Sequence, residues 1–257
     1  MRVRYLILAY FFILAAPIGA SEVQFLSGKF EASEGDVRVS GQLFRPEGSG
    51  PHAAVVLLHT CGGLTQHVTH DWPQYLVDLG YVVLAIDTLG SRGYYKGCRP
   101  MRDRFATQAR DAYGALGYLA SQPYVDPRRV AAVGFSLGAI TINEVIMARP
   151  PRSAANPEFK AFASFYGRCQ KMDAGSMRET PLLQIIPEKD NYAPVCIERS
   201  KSIRMEAHVL PGVLHAFDQP QITQVRPDSF GNPMLYDPLA TEKSRALLRE
   251  FLTRALK

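Results

Sequence analysis

The feature that most constrains this chain is a series of short apolar runs that alternate with amphipathic segments. Each run is rich in Val, Ile, Leu, Ala or Phe, which is typical of a strand buried on both faces. Strands that alternate with helices predict an α/β fold with a mostly parallel sheet, because each helix provides the crossover between two strands. The six predicted buried strands are 53–59, 81–87, 130–135, 160–167, 181–190 and 205–212.

Helical segments lie between and after these runs. Apolar residues recur at helical spacing in residues 103–121 and in residues 137–147. The last segment, residues 237–256, is an amphipathic helix with Asp237 as its expected N-cap. Two earlier segments within residues 23–46 alternate apolar with polar residues, as half-exposed strands do. Because these two strands are adjacent in the chain, we expect them to form an antiparallel edge of the sheet.

The first twenty residues differ from the rest. A basic start with Arg2 and Arg4 precedes an apolar run, and small residues follow Pro17. This layout is typical of a secretory signal peptide, and the run is shorter than the ~20 residues that a spanning helix needs. We therefore expect residues 1–20 to be removed and the mature chain to be exported, periplasmic or secreted, without stable membrane insertion. No linker divides residues 21–257, which we interpret as one domain.

Charge and cysteine content narrow the function classes. The formal net charge is +5, and Lys and Arg are spread along the chain rather than clustered, which argues against nucleic acid as a partner. The four cysteines of an exported chain predict two disulfides, and their spacing leaves all three pairings open. No spacing of Cys and His indicates a metal site, and no motif for an organic cofactor is present. The cysteines are Cys61, Cys98, Cys169 and Cys196.

A serine between two glycines follows one of the buried runs. The pattern Gly134-Phe135-Ser136-Leu137-Gly138 joins a predicted strand to a predicted helix. A strand, a sharp turn and a helix are the context that this pattern needs in the nucleophile elbow of α/β-hydrolases. Glycines on both sides let the chain turn tightly, so that the serine hydroxyl projects from the sheet edge. Ser136 is therefore the predicted nucleophile.

A serine hydroxyl needs a base, and the base needs a carboxylate to orient it. Two histidines follow Ser136: His208 lies inside a predicted strand, whereas His215 lies in the loop after it and is the expected base. In this arrangement the acid lies between serine and histidine in the chain. Asp190, in the loop after the fifth strand, is the expected acid, with Glu188 and Asp173 as the alternatives.

The oxyanion formed during acyl transfer needs two N–H donors. One is expected to be the backbone N–H of Leu137, the residue after the nucleophile. The other is expected from the loop that follows the first buried strand, with the N–H of Cys61 preferred and that of Thr60 as the alternative.

These segments together resemble the dienelactone hydrolase family. The likeness spans about residues 37–256 and rests on "VVLLHTCGGL", "GYVVLAIDTLGSRG", "DAYGALGYLASQPYVDPRRVAAVGFSLGA", "PEKDNYAP" and "LPGVLHAFD". It implies an α/β-hydrolase fold and hydrolysis of an ester or lactone through an acyl-enzyme. The founding members have a cysteine nucleophile where this chain has Ser136, and a glutamate near the position of Thr60. Serine-bearing exported relatives resemble general carboxylesterases.

The resemblance also implies a disulfide pairing. It favours Cys61–Cys98 and Cys169–Cys196, because the segments that carry each pair are expected to meet beside the active site.

Substrate contacts are expected at the carboxyl ends of the strands, where ligands bind in open α/β sheets. Candidates for such contacts are Trp72, Arg92, Tyr94 and Phe217, and Tyr95 and Arg99 lie in the same loop as Arg92. The expected substrate is a small ester or lactone, and the sequence leaves the oligomeric state open. Two other functions stay open at this point. The same three residues would serve an exopeptidase or acyltransferase, and a binding protein could use an inactive hydrolase scaffold.

Overall fold

The central sheet is built from the apolar runs and from the two strands that precede them. The computed structural model describes residues 19–31, 33–95, 97–147, 157–175 and 177–257; the signal peptide expected at residues 1–20 therefore lies almost wholly outside the described residues. Eight strands form one sheet. They are β1 (Ser21–Leu26), β2 (Arg38–Phe44), β3 (His52–Leu58), β4 (Val82–Ile86), β5 (Val125–Phe135), β6 (Ala161–Phe165), β7 (Leu182–Pro187) and β8 (Glu206–Leu210).

The strand order explains why β3 to β7 are apolar on both faces, whereas β8, which was predicted as a buried strand, lies at the edge of the sheet and is only partly buried. It is β1-β2-β4-β3-β5-β6-β7-β8, with β1, β2 and β4 paired antiparallel and every pair from β4 to β8 parallel. The antiparallel edge predicted for the two opening strands is confirmed. Parallel strands need crossovers that cover the faces of the sheet, so the central strands meet no solvent on either side.

Five α-helices, a short hairpin and three shorter helical segments complete the regular elements in the described part of the chain; the shorter segments are His67–Asp71, Gly90–Arg92 and Ile142–Ile146. The C-terminal helix begins as expected, because the Asp237 carboxylate accepts a hydrogen bond from the Ala240 N–H at 2.9 Å. The helices are α1 (Trp72–Asp78), α2 (Arg104–Ala120), α3 (Leu137–Thr141), α4 (Ala193–Arg199) and α5 (Pro238–Ala255). The hairpin pairs β9 (Arg226–Pro227) with β10 (Pro233–Met234). None of the described helices has the length and apolar character required to cross a membrane.

The segment after Ser136 differs from the single helix predicted over residues 137–147. The α-helix ends at Thr141, and residues Ile142–Ile146 form π-helical turns, with the Met147 N–H donating to the Ile142 carbonyl at 3.0 Å. Apolar spacing indicates which side chains face the core. It does not report which carbonyl each amide bonds, so the sequence did not predict the wider turns.

Alternate residues of each central strand enter two separate cores. In β3, Val56 and Leu58 pack with α2 on one face of the sheet, whereas Val55 and Leu57 pack with α1 and α5 on the other. Both cores hold the sheet rigidly, which fixes the positions of its carboxyl ends. The loops after β3, β5, β7 and β8 leave the sheet at those ends and carry the candidate functional residues.

Candidate active site

Ser136 occupies a sharp turn between β5 and α3. Its backbone has φ +49° and ψ −103°, a conformation that non-glycine residues rarely adopt. The turn requires both flanking glycines: a Cβ on Gly134 would overlap the backbone of Gly138, and a Cβ on Gly138 would overlap the carbonyl of Leu58. The backbone of Ser136 is therefore strained, and this conformation places the Ser136 side chain at the edge of the sheet.

The three residues predicted to work together are joined by hydrogen bonds. The Ser136 Oγ lies 3.0 Å from the His215 Nε2, and the His215 Nδ1 lies 2.6 Å from the Asp190 Oδ2. The other Asp190 oxygen accepts a hydrogen bond from the Tyr192 N–H at 3.0 Å, which orients the carboxylate. His215 and Asp190 are 2% and 3% exposed. Because a carboxylate accepts the Nδ1 proton, the neutral imidazole has Nε2 free to accept the serine proton.

The alternative residues have other partners. His208 lies on β8 and pairs with the Glu206 carboxylate at 3.1 Å. The Glu188 carboxylate accepts a hydrogen bond from the Gly212 N–H at 2.8 Å and lies 3.7 Å from the Lys189 Nζ. Asp173 is exposed in the loop after β6. The structure therefore brings only the preferred histidine and the preferred acid to Ser136.

A buried network that the sequence analysis missed supports the His215 imidazole. The Tyr166 ring packs edge-on against it, with 4.8 Å between ring centroids. The Tyr166 hydroxyl and the Trp72 Nε1–H each donate to the Asp218 carboxylate at 2.7 Å. Burial and the neighbouring Asp218 charge raise the pKa of Tyr166, so its hydroxyl stays a neutral donor. The only sequence signal was an acid three residues after His215.

The β9–β10 hairpin brings a second carboxylate to the imidazole. The Asp228 Oδ2 lies 3.9 Å from the His215 Nε2. The Asp228 Oδ1 accepts hydrogen bonds from the Phe230 and Asn232 N–H groups, both at 2.8 Å, so the carboxylate is held in its turn. The hairpin is tied to the histidine loop because the His215 N–H donates to the Pro233 carbonyl at 2.9 Å. Nothing in the local sequence indicated this approach.

The loop after β3 is held by a histidine. The His59 Nδ1 lies 2.6 Å from the Thr60 carbonyl oxygen, which also accepts the Gly63 N–H at 3.1 Å. Since a carbonyl only accepts, Nδ1 carries the proton, and Nε2 is buried without a partner among the described residues. Burial lowers the pKa of His59, so the imidazole is neutral at pH 7. Cys61, which follows Thr60, lines the same cleft as Ser136.

The four cysteines form two disulfides, Cys61–Cys98 and Cys169–Cys196, which is the pairing that the resemblance implied. The first joins the loop after β3 to the segment before α2, directly beside Ser136. The second joins the loop after β6 to α4.

Two spaces of different size open beside Ser136. The large cavity has a volume of about 500 Å³ and lies between residues 60–65, Tyr95, residues 97–99 and residues 215–234, with His215 in its wall. The small cleft has a volume of about 20 Å³ and also reaches Ser136. Its lining residues are Cys61, Cys98, Arg104, Phe105, Ser136, Leu137, Ile140, Arg168, Tyr192 and Phe230.

The four residues expected to contact substrate line neither space, and that expectation is wrong. Trp72 and Phe217 are 1% and 0% exposed because they pack in the core behind the His215 loop. The Arg92 guanidinium forms two 2.8 Å hydrogen bonds with the Asp111 carboxylate and fastens the loop after β4 to α2. Tyr94 packs against the apolar cluster around Cys98. All four lie after strand ends, but their side chains turn inward.

In the part of the chain that the structure describes, no three His, Cys, Asp or Glu side chains are grouped as ligands for a metal ion. A hydroxyl bonded to an imidazole that is bonded to a buried carboxylate can transfer a proton from oxygen to nitrogen.

Comparison with known proteins agrees with the fold. The model of the dienelactone hydrolase family matches residues 39–256. A dienelactone hydrolase-like promiscuous phosphotriesterase from metagenomic libraries is 25% identical, with a TM-score of 0.66, over 93% of this chain and 100% of that chain. The Pyrococcus furiosus esterase Pf2001 is 17% identical, with a TM-score of 0.65, over 93% of this chain and 94% of that chain.

A third structure is similar over part of its length. The acylaminoacyl peptidase of Pyrococcus horikoshii is 14% identical, with a TM-score of 0.66, over 96% of this chain and 43% of that chain. The single domain has the α/β-hydrolase fold of these proteins, and the family supports hydrolase activity on a small molecule. The match of the family model over most of the chain establishes that this protein belongs to the dienelactone hydrolase family.

Proposed function

We propose that this protein is a serine hydrolase that cleaves carboxylic esters or lactones through an acyl-enzyme on Ser136. The observation that carries the proposal is the continuous hydrogen-bonded chain from Ser136 through His215 to Asp190. An unactivated hydroxyl is a weak nucleophile at neutral pH, and a neutral imidazole within 3.0 Å is the base that it needs. His215 is the proposed general base, and Asp190 is proposed to orient it.

The proposed reaction has two steps. The Ser136 Oγ attacks the ester carbonyl carbon while its proton passes to the His215 Nε2; the C–O bond to the alcohol then breaks, and the same proton goes to the departing oxygen. Water attacks the resulting acyl-enzyme, gives a proton to Nε2, and the carboxylic acid leaves as Ser136 regains its proton. Asp190 stabilises the imidazolium that forms in each step.

Two backbone N–H groups are proposed as the oxyanion donors, from Leu137 and Cys61. Leu137 opens α3, where N–H groups have no partner within the helix. The carbonyl and N–H of a trans peptide point in opposite directions. The Thr60 carbonyl is held by His59 and Gly63, so the N–H on the other side of that peptide, from Cys61, points away from them.

Removing the His59 donor is expected to lower kcat with little change in KM. His59→Leu frees the peptide between Thr60 and Cys61 to rotate, and the loss of one oxyanion donor typically costs about 10²-fold in kcat. His59→Asn is the matched control, because its amide nitrogen can replace Nδ1 as donor, and it is expected to restore most of the rate. Steady-state kinetics on 4-nitrophenyl acetate measure both. A rise in KM with unchanged kcat in His59→Leu would contradict the assignment.

Removing each disulfide separately is expected to show that both stabilise the fold and that only Cys61–Cys98 also supports ester hydrolysis. Replacing Cys169 and Cys196 by serine removes a cross-link over 27 residues, and replacing Cys61 and Cys98 removes one over 37 residues. Each double variant is expected to lose about 2–4 kcal/mol in its free energy of unfolding, because the unfolded chain gains freedom. Only the variant at 61 and 98 is expected to lose ester hydrolysis beyond its stability loss. Urea unfolding and initial rates test this; equal rate losses would refute the division.

The function is tested by one panel of substrates and one covalent probe. We expect turnover of short-chain 4-nitrophenyl esters, and a fluorophosphonate is expected to modify Ser136 alone, as read by peptide mass spectrometry. Acyl-amino-acid anilides cleaved faster than esters would instead favour an exopeptidase, and transfer of the acyl group to an added alcohol over water would favour an acyltransferase. Absent turnover with tight binding of an ester would favour a binding protein.

Export is proposed for the mature chain. Two disulfides are consistent with an oxidising compartment, and the predicted signal peptide ends at Ala20. The protein purified from expressing cells is therefore expected to begin at Ser21, which intact-mass measurement checks. A mass that includes residues 1–20 would contradict this proposal.

A further inference from the structure

The two spaces at Ser136 differ in a way that bears on the substrate, provided that the proposed function holds. An ester has two parts, an acyl group and an alcohol, and both extend from the carbon that Ser136 attacks. The large cavity and the small cleft share Cys61, Cys98 and Ser136 and are otherwise lined by different residues. Their volumes, about 500 Å³ and about 20 Å³, are so different that the two parts of the substrate cannot exchange places.

The position of His215 determines which part enters which space. The departing alcohol oxygen must receive its proton from the His215 Nε2, so the alcohol leaves on the side of the imidazole. His215 lines the large cavity and does not line the small cleft. The alcohol therefore occupies the large cavity. The acyl group, which stays bonded to Ser136 Oγ, extends past Leu137 into the cleft.

The cleft has room for one small group. A volume of roughly 15 Å³ holds one water-sized group, so about 20 Å³ accepts a methyl and little more. Its walls are firm: Ile140 is 5% exposed, and the Phe105 ring is covered by the guanidinium groups of Arg104 and Arg168, at 4.8 and 4.9 Å from the ring centroid. Phe230 also lines the cleft, and its ring centroid lies 5.7 Å from the Arg104 guanidinium carbon.

The large cavity is suited to an alcohol with many hydroxyl groups. Arg99 and Arg226 reach its wall, and neither forms an ion pair with another described residue, so their N–H donors are available. The Gln221 Nε2 donates to the Gln219 Oε1 at 3.0 Å, which leaves the Gln221 Oε1 as an acceptor, and the Tyr95 ring is 83% exposed at the rim. A volume of about 500 Å³ is within the range of small-molecule sites.

We propose that this enzyme hydrolyses acetyl-sized esters of large, hydroxyl-rich alcohols, with the acyl methyl in the small cleft and the alcohol in the large cavity. Atoms balance as in the two steps above: the products are acetic acid and the free alcohol, and water is the co-reactant.

The acyl side is tested with 4-nitrophenyl acetate, butanoate and hexanoate. An extra methylene in a tight pocket changes kcat/KM by about 10- to 200-fold, so we expect a fall of at least about 100-fold from acetate to hexanoate. Phe105→Ala removes one wall and is expected to raise the hexanoate-to-acetate ratio by about 10-fold or more. Phe230→Ala, at a side chain that is 46% exposed, repeats the test without opening the core. Leu239→Ala, exposed on α5, is the control and should leave the ratio unchanged.

The alcohol side is tested with two acetates of matched shape. Methyl 6-O-acetyl-glucoside and cyclohexylmethyl acetate share a primary acetate on a six-membered ring, and only the first has hydroxyl groups. We expect the glucoside to have the higher kcat/KM by about 10-fold or more, the effect of hydrogen bonds that the cyclohexyl ring cannot make. Arg226→Ala should lower the rate on the glucoside and leave that on the cyclohexylmethyl ester.

Several outcomes would overturn the proposal. A flat or rising rate with acyl length would mean that the acyl group lies in the large cavity, and a hemisuccinate cleaved faster than the acetate would mean that Arg104 or Arg168 binds an acyl carboxylate. Equal rates on the two matched acetates would contradict the proposed preference for a hydroxyl-rich alcohol. In each of these cases Ser136 is still modified by the fluorophosphonate. Loss of that modification together with loss of all ester turnover would instead refute the proposed function.

Discussion

Replacing Ser136 with alanine is expected to lower kcat on 4-nitrophenyl acetate by about 10⁵- to 10⁶-fold, because it removes the atom that bonds to the acyl carbon. Loss of the nucleophile of a serine triad leaves only the catalysis provided by the oxyanion donors and by substrate binding. The His215 and Asp190 side chains pack in place without the serine hydroxyl, so the fold should be unaffected. Steady-state kinetics and a fluorophosphonate labelling experiment on the same preparation measure the two losses together.

A matched serine controls for the substitution itself. The Ser164 hydroxyl on β6 is buried and has no hydrogen-bond partner among the described residues, so Ser164→Ala removes a serine from the same sheet at little cost. We expect this variant to keep wild-type kcat and full labelling. A serine hydrolase that lacks its nucleophile keeps far less than about a hundredth of its rate. If Ser136→Ala retains more than about a hundredth of the wild-type rate, another residue is the nucleophile.

Replacing Asp190 with asparagine is expected to lower kcat by about 10⁴-fold, because the amide favours the wrong imidazole tautomer. The Asp190 Oδ2 now accepts from His215 Nδ1 at 2.6 Å. An asparagine that turns its NH₂ toward Nδ1 makes that nitrogen an acceptor and moves the imidazole proton to Nε2, where it blocks proton transfer from Ser136. The substitution keeps the size of the side chain, so the loss should appear in kcat rather than in stability.

The second carboxylate near the imidazole provides the control for charge. Asp228 lies 3.9 Å from the His215 Nε2 but does not bond Nδ1, so Asp228→Asn removes an equal charge without changing the tautomer. Its Oδ1 contacts to Phe230 and Asn232 can be made by an amide oxygen, which preserves the hairpin. We expect a loss far smaller than that of Asp190→Asn. Equal losses in the two variants would show that negative charge, not orientation, is what Asp190 provides.

Local patterns predicted most of the fold and the three residues whose side chains are hydrogen-bonded at the candidate site. The apolar runs identified β3 to β7, which are buried on both faces, and their alternation with helices implied a parallel sheet. The sixth run is a strand as predicted, but as the edge strand β8 it is only partly buried. The role of Ser136 could be predicted because the tight turn has room only for glycine at positions 134 and 138. His215 and Asp190 followed from chain order, because loops after parallel strands emerge at the same edge.

Substrate contacts were not predictable in the same way. Trp72 and Phe217 follow strand ends as pocket residues do, but only packing decides whether a side chain turns toward solvent or toward the core. Their large apolar surfaces are more stable when buried, and the Trp72 indole N–H finds the Asp218 carboxylate there. Asp218 and Asp228 were missed for the converse reason, because a carboxylate in a loop has no local signature of what it will contact.

The sequence by itself determined the layers of the sheet and the strained turn at Ser136, because each depends on residues that are near neighbours in the chain. The order of Ser136, Asp190 and His215 was predictable for another reason, because loops that follow parallel strands emerge at the same edge of the sheet. Only the tertiary structure determined the distance of 3.9 Å between the Asp228 Oδ2 and the His215 Nε2, and the unequal volumes of the two spaces at Ser136. Those features depend on how loops from separate strands pack against one another. Such packing is set by distances between side chains far apart in the chain, which no local pattern records.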